Sequence, residues 1–178
     1  VRSVGRALFR VEVDIVDEHG RDADDGEVGL LRYRGPGVTQ RVLDENGLEF
    51  TRDGDWFYPG DLASRDVDGY IRLTGRSKDV IVRAGVNVYP AEIERVVGAL
   101  EGVREVAVVG APSPDRGEAV HAFVAGNVTK SALQAHCEAR LAPYKRPEAW
   151  RLVGALPRTA ADKIDKNRLR ARARGEDT

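Results

Sequence analysis

Hydrophobic and polar residues alternate along the first part of the chain. Between Phe9 and Ile15, apolar side chains stand at every second position with charged ones between them. This period of two predicts a half-buried strand. A second strand is predicted over residues 28–34, and residues 66–69 predict a hairpin turn that leads into a strand at 70–73. Short strands joined by regular turns indicate a small β-rich, distorted barrel-like unit.

The pattern changes after residue 78. Apolar runs at 80–82 and 86–88 flank Gly85 and predict a β-hairpin. Pro90 suits the first turn of a helix. The apolar positions that follow recur at i, i+3, i+4 and i+7, as on one face of a helix. These positions are Ile93, Val96, Val97 and Leu100.

The rest of the chain continues with strands and helices. Two buried strands, a helix, a last strand and a basic helix are predicted over residues 103–109, 119–125, 129–142, 149–153 and 166–174. Thr129 can cap the middle helix, whose apolar side carries Leu133, Cys137 and Leu141 and which Pro143 ends. The pattern predicts a compact α+β domain of about 100 residues, with a hairpin and a small sheet flanked by helices.

Charge changes sign near residue 77. Residues 1–76 carry 11 Lys/Arg and 16 Asp/Glu, whereas residues 77–178 carry 17 and 13. The change is consistent with a domain boundary, and a basic second part could attract phosphates. Two ordinary surfaces explain the charges about as well.

Composition excludes several classes. No apolar run approaches the roughly 20 residues of a membrane helix, so no membrane span is predicted. The single cysteine, Cys137, excludes an internal disulfide framework and favours a reducing cytoplasm. The chain has no methionine and starts without an apolar leader. These features indicate an excised piece, although removal of a leader would look the same.

Four blocks of residues carry the candidate chemistry. They are Gly60-Asp61-Leu62, the run from Gly75 to Glu94, Tyr144-Lys145-Arg146-Pro147, and the run from Pro157 to Ile164. Their order resembles the carboxy-terminal part of the AMP-forming adenylating enzymes, the superfamily of acyl-CoA synthetases, luciferases and adenylation domains. The resemblance covers nearly all of the chain. It implies that residues 1–77 are the last β subdomain of a large amino-terminal domain and that residues 78–178 are a mobile carboxy-terminal domain.

The resemblance also implies a reaction. The block from Gly85 to Glu94 looks like the CoA-ligase variety, which converts a carboxylic acid and ATP to acyl-AMP and then to acyl-CoA. ATP, Mg²⁺ and CoA would be substrates, with none held tightly by this chain. Its main partner would be a missing amino-terminal part that holds the phosphate loop and the acyl pocket, so the chain alone is expected to be inactive. Alternatives are an enzyme that loads a carrier-protein pantetheine, or a stand-alone binding module.

Lys163 is the candidate catalytic residue. A cation between the acid and the α-phosphate would stabilise the charge that builds up there, and lysine is a point charge on a flexible arm. The resemblance assigns this role to Lys163; without it, a lysine on a basic tail is the simpler interpretation. Asp162 stands where the family usually has glycine. It tolerates the left-handed region only moderately and adds a negative charge.

Asp61 and Arg76 are the candidate nucleotide-binding residues. A carboxylate can accept from both ribose hydroxyls, which the resemblance assigns to Asp61, with Pro59 in place of the usual threonine. Arg76 would contact the ribose or a phosphate. Lys78 stands at the hinge position of the family. The alternatives are a turn-capping aspartate, a surface arginine and an exposed lysine.

Five residues are candidates for binding CoA, the thiol that accepts the acyl group. Gly85 is a hairpin glycine, and the resemblance places it beside the pantetheine tunnel. Tyr144, Lys145 and Arg146 resemble a CoA-binding strip, since a ring and cations suit adenine and a 3′-phosphate; a basic cluster at a helix end is the alternative. Arg116 stands where many relatives carry tryptophan, and a guanidinium can also stack on a base.

Other tempting residues are discounted. His19, His121 and His136 are scattered without metal-ligand spacing, so no metal site is predicted. Cys137 falls on the apolar side of a helix, which favours a buried structural thiol. The arginine-rich end is short and lacks aromatic residues, so no nucleic-acid partner is predicted.

Overall fold

The computed structural model describes residues 3–38, 52–53 and 55–176, with only the backbone of 52–53. Contacts divide the chain into two compact units, Val1–Lys78 and Asp79–Thr178. The α+β class predicted from the sequence is confirmed. The roles proposed for the two parts, a static β subdomain and a mobile domain, stay predictions.

The first unit is a sheet of short strands. They are β1 Glu12–Val16, β2 Gly29–Arg34, β3 Arg52–Asp53, β4 Trp56–Phe57, β5 Asp61–Arg65 and β6 Ile71–Arg76. Their order is β3-β4-β2-β5-β6, with β1 also paired to β2, and every pair is antiparallel. Among the described strands this is an open path, so the unit is β-rich as predicted without closing into a barrel.

The core of the first unit confirms part of the predicted alternation. Ile15 and Leu31 are buried in one cluster with Ala63 and Ile71. The prediction that the first strand begins at Phe9 is wrong, because Phe9 is 92% exposed. The chain turns at residues 9–10, with φ 65° at Arg10, and the strand begins only after the turn.

The predicted hairpin turn at residues 66–69 is confirmed. It joins β5 to β6, which pair antiparallel from Arg65↔Ile71 back to Asp61↔Arg76. The Asp66 carboxylate accepts from the backbone N–H of Asp68 at 3.2 Å and of Tyr70 at 2.9 Å. A short side-chain acceptor that satisfies the turn amides is the reason aspartate suits this position.

In the part of the chain that the structure describes, the second unit contains five strands and three α-helices. They are β7 Ile81–Arg83, β8 Val86–Val88, α1 Pro90–Gly98, β9 Val103–Ser113, β10 Gly117–Gly126, α2 Lys130–Glu138, β11 Ala149–Val153 and α3 Lys166–Arg174. The sheet order is β11-β10-β7-β8, with β9 also paired to β10. Only β10 and β11 run parallel.

Both faces of β10 are buried. Val120, Ala122 and Val124 lie in a core cluster that includes residues of α1 and α2. Phe123 lies in a second cluster with Leu169 of α3. A strand covered on both faces has a continuous apolar sequence, which is the pattern that predicted it.

The helix ends follow capping rules, with one correction. The Thr129 hydroxyl accepts from the N–H of Ala132 at 3.2 Å at the start of α2, as predicted. The prediction that Pro143 ends this helix is wrong, because α2 stops at Glu138 and Pro143 begins a separate 3-10 turn, Pro143–Lys145. Among the described helices, none is long and apolar enough to cross a membrane.

Candidate active site

Asp61 and Arg76 form a pair across β5 and β6. They are opposite one another in the strand register, and Arg76 Nε lies 2.7 Å from Asp61 Oδ1. Arg76 also donates to the Pro59 carbonyl at 3.2 Å. Burial, and then the negative charge of Asp61, raise the pKa of Tyr33. The sequence-predicted nucleotide residues therefore lie together, with the carboxylate oriented by the guanidinium.

Lys78 lies in a short 3-10 turn, Ser77–Asp79, at which the first compact unit ends. Asp79, the next residue, is 15% exposed and pairs with two cations of α3. Its carboxylate lies 2.6 Å from Arg170 Nη2 and 3.8 Å from Lys166 Nζ. The residue after the candidate hinge is therefore anchored to the helix that follows Lys163.

Gly85 lies at the tip of the predicted hairpin, which is confirmed. Strands β7 and β8 pair from Ile81↔Val88 to Arg83↔Val86. The two turn residues, Ala84 and Gly85, have φ of 49° and 78°, as in a two-residue turn of type I′. A Cβ at Gly85 would meet nothing within 4 Å in this chain, so the backbone angle, not crowding by this chain, explains the glycine.

The three residues of the predicted CoA-binding strip differ in their contacts: Tyr144 is exposed, whereas Lys145 and Arg146 bind other residues of the unit. Tyr144 is 42% exposed. Lys145 Nζ donates to both carboxylate oxygens of Glu92, at 2.7 and 2.8 Å. Partial burial acts to lower the pKa of Lys145, but the hydrogen bond and charge of Glu92, together with Tyr144, outweigh burial and the pKa is raised. Arg146 donates to backbone carbonyls near the end of α2, at 2.9 and 3.0 Å. Both cations are engaged within the unit.

Arg116 shares a carboxylate with a residue that sequence reasoning missed. Arg116 Nη1 donates to Glu148 Oε1 at 3.0 Å, and Arg83 Nη2 pairs with the same oxygen. Arg83 is 7% exposed and is the buried charged residue among the described parts of the chain. The period of two along β7 places Arg83 on the same face as the buried Ile81, but the sequence Val80-Ile81-Val82 shows no alternation that could have predicted this.

Lys163 lies on a braced loop. Arg158 and Ile164 form an isolated antiparallel bridge, and Thr159 N donates to the Lys163 carbonyl at 2.8 Å. The Lys163 N–H lies 3.3 Å from the Thr159 hydroxyl. The side chain is exposed and, within the described residues, its ammonium has no ion pair or hydrogen bond. The loop holds the backbone while the cation stays available.

Asp162, which stands where the family usually has glycine, has the left-handed backbone conformation. Its φ is 58°, and its side chain is 90% exposed. Arg158 Nη1 donates to the Asp162 carbonyl at 2.9 Å, and Arg158 Nη2 also pairs with Glu105. The loop thus requires at this position a conformation that glycine adopts without strain.

The discounted residues have other contacts. His136 Nε2 lies 2.9 Å from the Val96 carbonyl, and His19 lies beside Glu18. Burial, and then the charge of Arg151, lower the pKa of His121. No group of three or more His, Cys, Asp or Glu in the described ranges could hold a metal ion. Cys137 is buried, as predicted, and burial raises the pKa of its thiol.

The second unit matches a known family. Residues 92–163 match the AMP-binding enzyme C-terminal domain. The chain matches the carboxy-terminal part of AMP-forming acyl-CoA synthetases, and its named relatives are CoA ligases of the adenylate-forming superfamily. The family predicted from the sequence blocks is confirmed.

Named relatives are CoA ligases. The 2-succinylbenzoate–CoA ligase of Enterococcus faecalis is 35% identical over 95% of this chain and 35% of its own length. The long-chain-fatty-acid–CoA ligase of Salmonella typhimurium is 39% identical over 98% of this chain and 32% of its own length. The chain thus spans about a third of the length of the curated relatives it matches.

Solved structures agree with this assignment. ATP-bound MatB from Rhodopseudomonas palustris matches with a TM-score of 0.85 and 34% identity, covering 96% of this chain and 35% of that chain. The o-succinylbenzoate CoA synthetase MenE from Bacillus subtilis, in complex with its acyl-adenylate intermediate, matches with a TM-score of 0.87 and 31% identity, covering 94% and 35%.

Proposed function

We propose that this chain is the carboxy-terminal part of an ATP-dependent acid–CoA ligase. In the first half-reaction, a carboxylate oxygen attacks the α-phosphorus of ATP, which gives acyl-AMP and releases pyrophosphate. In the second, the CoA thiol loses its proton and attacks the acyl carbonyl carbon, and AMP leaves. The CoA-ligase relatives and the ATP bound to MatB support this proposal.

Lys163 carries the proposal. Its loop is held by the Arg158–Ile164 bridge and the Thr159 hydrogen bonds, while its ammonium makes no ion pair or hydrogen bond with the residues that the structure describes. A preorganised cation stabilises charge most effectively where the charge develops. We assign Lys163 to the acid and α-phosphate oxygens in the first half-reaction.

Asp61 and Arg76 would bind the nucleotide. Arg76 holds one Asp61 oxygen at 2.7 Å, which fixes the carboxylate before ATP arrives. A fixed carboxylate can accept from the ribose hydroxyls without further loss of side-chain freedom. Mg²⁺ usually keeps several waters and binds substrate phosphates, so it would enter with ATP.

The acceptor thiol would approach the Gly85 hairpin. Tyr144 of the predicted strip is exposed, and so is Arg116, the separate candidate. Lys145 and Arg146 would act indirectly, since Glu92 and the end of α2 hold them. Lys78 would be the joint about which the second unit moves between the half-reactions.

A second acceptor class is supported by the same contacts. Free CoA carries a 3′-phosphate that favours binding by cations, yet Lys145 and Arg146 are engaged within the unit. A carrier-protein pantetheine has no 3′-phosphate to bind. A stand-alone binding module is the remaining alternative, which the gene sequence upstream of Val1 would test.

The acceptor is tested in the complete enzyme encoded with this chain. Purified acyl-adenylate is supplied, and AMP release is measured with free CoA or with a pantetheine-loaded carrier protein. The proposal expects free CoA to give thioester at the higher kcat/KM. Thioester with the carrier alone would favour the second acceptor class, and no thioester with either would contradict both.

A further inference from the structure

We infer that Arg83 is a positioning residue for the acceptor half-reaction. Its guanidinium fixes the Gly85 hairpin to the acceptor segment, defined as residues 144–148. This inference rests on the proposed function, because it gives the hairpin and the segment a shared role beside the acceptor thiol.

The contacts of Arg83 join several parts of the second unit. Nη1 donates to the Tyr144 carbonyl at 2.6 Å and to the Arg146 carbonyl at 3.3 Å. Nη2 pairs with Glu148, whose Oε1 also accepts from Arg116 at 3.0 Å. One buried guanidinium therefore fixes the backbone on both sides of Lys145 and the carboxylate that holds Arg116.

Ile81 and Val88 anchor the base of the hairpin in the buried core, whereas its tip is attached through the contacts that follow. Only Arg83 of β7 pairs in register with β10, opposite Gly117. Ala84 N donates to the Arg116 carbonyl at 2.8 Å, and Val82 N donates to Glu118 at 2.7 Å. The tip residues 84–87 are exposed. Arg83 is therefore the side chain through which the position of the tip depends on the acceptor segment.

The geometry requires an arginine. A planar fork can donate to two carbonyls and a carboxylate at once, whereas a lysine ammonium is a compact charge that cannot span the same set. Replacement by lysine would keep the charge and loosen the hairpin. A displacement of about 1 Å near reacting groups can cost roughly 10²-fold in rate. Lys163 makes no described contact with Arg83, so adenylation should be spared.

The test uses the complete enzyme with Arg83→Lys and Arg83→Gln. A cavity of about 260 Å³ adjoins Arg83, Glu148 and Trp150, which leaves room for water beside a shorter side chain. Arg104→Lys is the matched control, because Arg104 also donates to a carbonyl in this unit, that of Gly154 at 2.6 Å. Circular dichroism and thermal unfolding establish that each variant is folded.

The expected result is a split between the half-reactions. Arg83→Lys should lower kcat/KM for CoA about tenfold or more with supplied acyl-adenylate, while pyrophosphate release stays within about twofold. Glu148→Gln should give the same split, and the double variant should lose less than the product of the two single losses. The control should change neither step by more than about twofold.

Other outcomes overturn the inference. Equal losses in both half-reactions would make Arg83 merely structural, and no loss in Arg83→Lys would show that the hairpin does not depend on the fork. If wild-type enzyme forms thioester and the variants form it equally well, the inference alone fails. If wild-type enzyme forms no thioester with CoA or carrier protein, the proposed function fails with it.

Discussion

Asp162 combines two effects at a single position. Its backbone has φ 58°, a conformation that costs an ordinary residue roughly 1–2 kcal/mol and that Asp and Asn visit more readily. Its exposed carboxylate directly precedes Lys163, the proposed catalytic cation. The carbonyl of Asp162 accepts from Arg158, a bond that any side chain at this position would allow. The Asp162 carboxylate also lies 3.9 Å from Arg158 Nε, and an exposed pair of this kind contributes little. Conformation and charge can therefore be separated by substitution.

Asp162→Asn should increase the rate of adenylation in the complete enzyme. Asparagine keeps the size and the tolerance for positive φ but removes a negative charge near Lys163, an effect of roughly two- to fivefold in rate at surface dielectric. Pyrophosphate release measures it, and the increase should shrink at high salt. Asp162→Gly is the companion variant: an effect of glycine without one of asparagine would show that conformation, not charge, matters here.

At the scale of elements, the sequence predicted helices and strands where the residues within the element itself determine the structure. Helix α1 follows from Pro90 and from Ile93 and Val97, which are fully buried. Contacts made outside the helix or strand itself explain what these patterns missed. Helix α2 stops early where Arg146, eight residues beyond Glu138, donates to the Glu138 carbonyl. The partners of Arg83 lie more than 60 residues along the chain, beyond what periodicity can show.

The candidate site shows the same division. The motifs identified Asp61 and Arg76, which the structure brings together. Sequence could not show that Lys145 and Arg146 are engaged, because their partners belong to other elements, Glu92 of α1 and the carbonyls at the end of α2. Charge alone therefore overstated how much of the strip is open to a ligand.

His121, in strand β10, should make the free energy of unfolding depend on pH. Burial lowers its pKa, and its Nδ1 has no hydrogen-bond partner. Because the unfolded chain then binds more protons below about pH 6.5, the free energy of unfolding should fall as pH drops below that value. Urea unfolding of this chain between pH 7.5 and 5.5 measures the slope. His121→Gln should flatten it.

His19→Gln is the matched control for this slope, since His19 is exposed. Its slope should equal that of the wild type. An unchanged slope in His121→Gln would show that protonation of other groups governs acid stability.

At the scale of the whole molecule, the boundary between the two compact units follows Lys78 in the chain. The second unit anchors the chain directly after this residue through Asp79 and its pairs with α3. The first unit holds the chain directly before it, where Ser77 N donates to the Gly60 carbonyl at 2.9 Å. Between these anchors, Lys78 is where we expect a large change in φ and ψ to be absorbed.

Lys78→Pro should trap the complete enzyme in one conformation. Proline fixes φ near −65°, so one half-reaction should persist while the other is suppressed. Pyrophosphate release and thioester formation from supplied acyl-adenylate measure the two separately. Lys78→Ala, which keeps the backbone free, should affect neither strongly. Equal and mild effects of proline on both would place the joint elsewhere.

The chain by itself should not form acyl-adenylate. In the proposed site, this chain supplies Lys163, whereas the phosphate loop and the acyl pocket are expected in an amino-terminal part of the enzyme. Pyrophosphate release from ATP with a panel of carboxylic acids should therefore equal that of a no-protein control. Release above the control would contradict this division.

The most direct measurement is the effect of Lys163→Ala on the two half-reactions of the complete enzyme. Loss of a preorganised charge of this kind costs roughly 10²–10³ in rate, so adenylation should fall by that factor. Thioester formation from supplied acyl-adenylate should stay near the wild-type rate. Lys130→Ala, an exposed lysine at the start of α2, should leave both unchanged. Equal losses in both half-reactions of Lys163→Ala, or no loss in either, would contradict the account.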